Sequence, residues 1–322
     1  MRVNASESTT PVVLVVFNRP NTTRQVLDAL ARVKPSRLYV AADGPRHAED
    51  EPKCQAVRAM FDDLPWACDV RRDFSDKNLG CGRRLPTGLD WVFEQEQRAI
   101  ILEDDCVPDP TFFPYCEALL ERYAEDETVG CVSGDTMPGA GGFGEASYRF
   151  SWLPLITGWA TWRRAWAKYD HYLSDWPASK SQRFLRKRLG ERLVRQTWAG
   201  WFDEAKAKGD TFSVWDYQWS YACLRHGLKS IHPRCLLTSH IGVGADATHT
   251  RGKPGRRDLR PTQPIELPLV HPASDRVDPA ADMAMFHAVH PFVRRNAASW
   301  PKRVRQAVGR GRRRLAASLG MA

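Results

Sequence analysis

PVVLVVF (residues 11–17) is a near-continuous run of β-branched apolar residues that meets Asn18-Arg19-Pro20 without a break. A strand that is apolar at every position, not at every second one, is buried on both faces, as in a parallel sheet covered by helices. Proline ends the pairing. Asn21 or Thr22 is then in place to cap a helix whose apolar positions Val26, Leu27, Leu30 and Val33 recur at helical spacing, closed by Lys34-Pro35. A second strand, Arg37–Ala42, runs into the turn signal Asp43-Gly44-Pro45.

The alternation repeats. Leu85, Leu89, Val92 and Phe93 mark an amphipathic helix before a strand at Ala99–Leu102, which meets Glu103-Asp104-Asp105. Phe112, Phe113, Cys116, Leu119, Leu120 and Tyr123 mark a further helix, and Val129–Ser133 a further strand. This pattern predicts an α/β fold, a mostly parallel central sheet with helices on both faces. Ligands bind such sheets outside the carboxyl ends of the strands, where Asn18, Arg19, Asp43, the acid run and Asp135 all fall. Beyond residue 150 the chain changes character: nine of its twelve Trp lie between Trp152 and Trp219, read as helical patterns and Gly-containing turns.

The 322 residues carry 47 basic and 38 acidic side chains, a net charge of +9. From Met283 onward there is no acid, and nine basic residues lie between Arg294 and Arg314, so the rest of the chain is formally neutral. The basic pI therefore belongs to a tail, and a nucleic-acid-binding reading of the body falls away. In that tail Val304, Val308, Leu315 and Leu319 form a sparse apolar stripe among arginines, the composition that suits an anionic membrane surface. No apolar stretch approaches the ~20 residues of a membrane span, and Met1–Thr10 does not read as a secretory leader. Eight cysteines without CxxC spacing point to reduced thiols and a cytoplasmic protein, peripheral on the inner face of the membrane if the tail binds it.

Three adjacent acids after a buried strand repel one another unless positive charge sits among them. A hard divalent cation, Mn²⁺ or Mg²⁺, is one partner, since it takes one or two carboxylates plus phosphate oxygens; a solvated acidic turn is the other reading. Asp43 is placed to accept from a nucleobase or ribose, or simply to cap its Gly-Pro turn. Asn78, with Arg83 and Arg84, lies in a Gly-containing loop that enters a helix, an arrangement that can present N–H groups and guanidiniums to phosphate. Asp216, between Trp215 and Trp219, is a candidate general base, and Trp faces can stack on sugar C–H surfaces. His240 and His249 are the late imidazoles available to a metal.

In order along the chain, NRP, ADGPR, KNLGCGRR, AIILEDDCVPDPTFFPYCEALLERY, VGCVSGD, GWATWRRAW, VWDYQW and SHIGVGADATHT resemble bacterial nucleotide-diphospho-sugar transferases of GT-A (Rossmann-like) fold, distantly similar to N-acetylglucosaminyltransferase I. The resemblance implies a metal-dependent, inverting glycosyltransferase using a nucleotide-diphosphate sugar and a glycan or lipid-linked acceptor in bacterial surface polysaccharide synthesis. It puts Asn18, Arg19 and Asp43 at the nucleoside, Glu103 and Asp104 at ribose and donor sugar, and Asp105 on the metal. Asp216 becomes the catalytic base, with Asp135 and Trp159 on the acceptor side beside Trp215. Tyr217 stands where the eukaryotic relatives carry a second acid. The implied organisation is a terminal segment 1–10, a transferase domain 11–250 (nucleotide-sugar half 11–135, Trp-rich acceptor half 136–250), a Pro-rich basic linker 251–282 and a basic amphipathic tail 283–322. A basic lid is expected at 251–257. A nucleotidyltransferase and a non-catalytic carbohydrate-binding module are the competing readings.

Overall fold

The computed structural model describes residues 10–137, 139, 141–176, 183–244 and 258–293. Residues 1–9 of the expected terminal segment, His249, the basic lid and the tail from 294 onward lie outside the described residues. The first half forms β1 (Val12–Val16), α1 (Pro20–Val33), β2 (Arg37–Ala42), α2 (Glu51–Ala59), β3 (Asp69–Phe74), α3 (Cys81–Phe93), β4 (Arg98–Glu103), β5 (Cys106–Pro108), α4 (Phe112–Arg122) and β6 (Val129–Ser133). The second adds β7 (Tyr148–Ser151), β8 (Trp159–Trp162), α5 (Arg163–Trp166), α6 (Arg183–Arg188), α7 (Arg192–Lys208), α8 (Asp216–His226), β9 (Lys229–Pro233), β10 (Thr238–His240) and α9 (Pro279–Val289).

Eight strands form one sheet in the order β3-β2-β1-β4-β8-β6-β9-β7. From β3 to β4 every neighbour is parallel. β8 enters antiparallel between β4 and β6, β9 runs parallel to β6, and β7 closes the edge antiparallel to β9. The α/β architecture is therefore the one the sequence predicts. Alternation within each strand divides the core in two. Val12, Leu14, Leu38, Val40, Ile100 and Leu102 pack against α1, α2 and α4 on one face, while Val13, Tyr39, Ala99 and Ile101 meet α3, α5 and α8 on the other. A third cluster joins α6, α7, α8 and α9.

Several local expectations are corrected. Pro20 opens α1 instead of preceding it, because its missing N–H is one the first turn leaves unbonded anyway; Thr22 and Thr23 sit inside the helix, their hydroxyls donating to the Arg19 carbonyl. Trp159–Trp162 is a fully buried strand, not part of a helical pattern. The tail begins later than expected: Met283, Met285 and Phe286 of α9 and Val293 are buried in the third cluster. Asp278 caps α9 by accepting from the Ala280 and Ala281 N–H groups. In the described part of the Pro-rich segment Ile265 and Leu269 are buried in the core, while most of the other side chains are exposed. Among the described residues no helix is long and apolar enough to cross a membrane.

Candidate active site

The carboxyl ends of β1, β2 and β4 open into one cavity of about 320 Å³. Its wall includes Arg19, Asp43, Asn78, Arg84, Glu103, Asp104, Asp105 and Asp216, eight residues singled out in the sequence and brought together from five segments. Asp216 opens α8, where the exposed N–H groups of the first turn suit an acidic residue. It stands on Trp215, which stacks on Trp159 with ring centroids 5.6 Å apart.

The positive charge among the three acids is Arg19. From the N-cap of α1 its Nη1 donates to Asp105 Oδ2 at 2.7 Å and its Nε to Asp104 Oδ2 at 3.3 Å, while Nη2 donates to Asp104 Oδ1. Arg19 thus faces the acid run in this structure while lining the cavity. Asp104 also accepts from the Phe17 N–H at 3.2 Å, fixing it to the end of β1.

Strand pairing brings in the imidazole. β5 follows the acids directly and pairs antiparallel with β10, setting His240 opposite Cys106. His240 Nε2 lies 3.5 Å from Asp105 Oδ2, and its Nδ1 2.7 Å from Asp258 Oδ1. Burial pulls this imidazole down, but the hydrogen bonds and charges of Asp105 and Asp258 hold it up at about 9. Burial likewise pushes the Asp105 carboxyl up, yet His240 and Arg19 together bring it well below the usual carboxylate range. At Glu103 the balance goes the other way: burial and the charges of Asp105 and Asp104 outweigh Arg19 and His240 and raise it to about 8. Among the described residues no group of three or more His, Cys, Asp or Glu is arranged to hold a metal by itself.

Asp43 organises the Gly-containing loop. Its Oδ1 accepts from the N–H groups of Gly44 at 2.9 Å and Leu79 at 2.8 Å, and its Oδ2 from Gly80 N–H at 2.9 Å and Asn78 Nδ2 at 3.1 Å. The turn-capping reading of Asp43 is the one its hydrogen bonds show. Arg84 faces the cavity while bridged to Asp73 at 2.8 Å.

Five expected residues do not line this cavity. Asn18 donates to Asp50 Oδ1 at 2.5 Å. Arg83 lies over the Tyr172 ring, 3.7 Å from Asp210. Asp135 is buried in an ion pair with Arg260 at 2.5 Å. Trp159 and Trp215 are 1% and 2% exposed; they are core residues, which corrects their expected place against the acceptor. Conversely, Arg46, Cys81, Ile156, Thr157 and Gly242 line the cavity without having been singled out. Arg46 sits inside the quoted ADGPR segment and Gly242 inside SHIGVGADATHT, where Gly242 lets β10's exit pass against Asp105.

The structure is similar to that of galactosyltransferase LgtC in complex with donor and acceptor sugar analogs, at 10% identity and a TM-score of 0.37, over 69% of this chain and 73% of that one. It is also similar to UDP-glucose pyrophosphorylase complexed with UDP-glucose, at 6% identity and a TM-score of 0.27, over 46% of this chain and 64% of that one. No protein-family model matches the sequence, and no curated protein matches it.

Proposed function

We propose that the chain is a metal-assisted, inverting glycosyltransferase that moves a sugar from a nucleotide diphosphate to a glycan or lipid-linked acceptor in bacterial surface polysaccharide synthesis. The observation that carries this reading is that Asp216 and the run Glu103-Asp104-Asp105, distant in sequence, border one cavity at the strand ends. A carboxylate standing apart from an acidic cluster is what a single displacement needs. One acid takes the proton of the attacking hydroxyl while the opposite wall holds the leaving diphosphate.

Arg19, Arg46 and Arg84 are guanidiniums in the cavity's lining and would bind diphosphate oxygens through their planar forks. Glu103, whose carboxyl is pushed up by burial and by Asp105 and Asp104, would hydrogen-bond a hydroxyl of ribose or donor sugar. Asp105 and His240 fit a divalent cation chemically: a hard carboxylate oxygen and an imidazole nitrogen stand 3.5 Å apart, and a nucleotide's own phosphates complete such a shell. When bound, Mn²⁺ or Mg²⁺ would offset the charge developing on the departing diphosphate. Asp216 would accept the acceptor hydroxyl's proton as the oxygen attacks the anomeric carbon from the face opposite the leaving group, inverting the centre.

The test is a thermal-shift screen of nucleotides and sugar nucleotides with and without Mn²⁺, followed by nucleotide release assays on the hits. The expected result is a shift by at least one nucleoside diphosphate, enhanced by Mn²⁺, with release abolished by Asp216→Asn. A protein that no nucleotide shifts under any metal condition refutes the proposal.

A further inference from the structure

A second, smaller cavity of about 90 Å³ lies behind Asp216. Asp216 and Ile156 border both cavities, so the two spaces meet at the carboxylate. The inner walls are aromatic and aliphatic: Trp198 of α7, Tyr217 of α8, and Phe286 and Val289 of α9. Burial and the nearby charge of Asp216 push the Tyr217 phenol up to about 12, so it stays neutral. A cavity holds one water in ~10–15 Å³, so this one has room for several heavy atoms; most of its wall is apolar, with Ser220, His290 and the Trp198 indole N–H as polar points beside Asp216. Apolar burial therefore favours an apolar occupant.

We infer that this cavity takes a compact apolar substituent of the acceptor, of about the size of an aromatic ring or short alkyl group, carried next to the hydroxyl that Asp216 deprotonates. The inference rests on the transferase reading and adds the acceptor's chemical class to it. Continuity with the main cavity argues for the acceptor over an unrelated ligand. An acceptor whose hydroxyl reaches Asp216 has this space beside it, because Asp216 and Ile156 border both cavities. The aromatic surface that would meet this substituent is that of Trp198, Tyr217 and Phe286.

The test compares binding of 4-nitrophenyl and methyl glycosides of glucose, galactose and N-acetylglucosamine by calorimetry, in the full chain with UDP and Mn²⁺ present. At least one 4-nitrophenyl glycoside should bind about tenfold or more tightly than its methyl counterpart. That advantage should shrink in Val289→Leu and vanish in Val289→Trp, which fills the cavity from α9, with UDP affinity within about twofold of the parent. Melting curves identify a variant that has failed to fold, and the milder Val289→Leu then carries the comparison. No aryl preference in any pair, or a preference that survives filling, overturns the inference. Failure of UDP to bind the parent chain overturns the transferase reading instead, whatever the glycosides do.

Discussion

Gly242→Ala isolates the acid run from everything else in the cavity. A methyl group built at residue 242 would lie 2.7 Å from Asp105 Cγ and nearer still to Oδ2, where side-chain carbons do not come under 3.0 Å. The Asp105 carboxylate therefore has to move by up to about 1 Å, away from its 2.7 Å contact with Arg19 and its 3.5 Å approach to His240. A displacement of that size at a reacting site costs ~100-fold in rate. Nucleotide release from a sugar nucleotide should show kcat/KM down by about that factor, with more Mn²⁺ needed for half-maximal rate. Gly200→Ala is the control. Residue 200 lies within α7 with nothing within 4 Å of an added methyl, so this change should leave turnover alone and stabilise the fold by up to ~1 kcal/mol. A Gly242→Ala enzyme within threefold of the parent, at unchanged Mn²⁺ dependence, refutes the placement of Asp105 at the centre of the site.

Arg149 and Asp282 form an ion pair at 2.9 Å, with side chains 4% and 1% exposed. Arg149→Met strands a buried carboxylate and should cost ~3–5 kcal/mol in urea unfolding; a loss under ~1 kcal/mol means that the pair does not tie α9 to β7. The hydrogen bond from Arg46 holds the Asp50 carboxyl well below its ordinary value. Its stabilising contribution is then present above the unfolded pKa of ~4 and lost as pH falls toward the lower folded value. The stability gap between the parent and Asp50→Asn should therefore be widest near neutrality and narrow below pH 4, and an unchanged gap at pH 3 contradicts the shift. Trp159→Phe should lower stability by ~1–2 kcal/mol through its stacked partners with glycoside affinity unchanged; a tenfold affinity loss would restore Trp159 to the acceptor side.

The central strands were legible because burial on both faces leaves a signature in composition alone. β1, β2, β4 and β6 fall within a residue or so of where their apolar runs predict. β3 was not legible: its sequence DVRRDF has half-exposed or exposed side chains and pairs only with β2, as an edge strand rich in charge does. β8 was hidden for the opposite reason. WATW is short and buried at every position, and its two indoles pointed to the aromatic composition of the region, not to a period. The helix α9 lay beyond a Pro-rich stretch, and the absence of acids after it drew 283–293 into the tail on charge alone. Burial of Met285 and Phe286 is a tertiary fact that net charge does not encode.

The site divides in the same way. Sequence states a demand: three adjacent acids at a strand end require positive charge. It does not state the supplier, because Arg19 meets Asp105 across 86 residues and His240 arrives only through the pairing of β10 with β5. Nor does residue type separate a ligand from a scaffold. Asp43 and Asp105 both follow central strands, yet four donors from its own turn and the 78–80 loop converge on Asp43, whereas Asp105 meets Arg19 and an imidazole. An acid saturated by its own loop is committed to shape. One balanced by a guanidinium and an imidazole can exchange those partners for a ligand's charge, and that difference makes Asp105 the residue on which the binding experiments should turn.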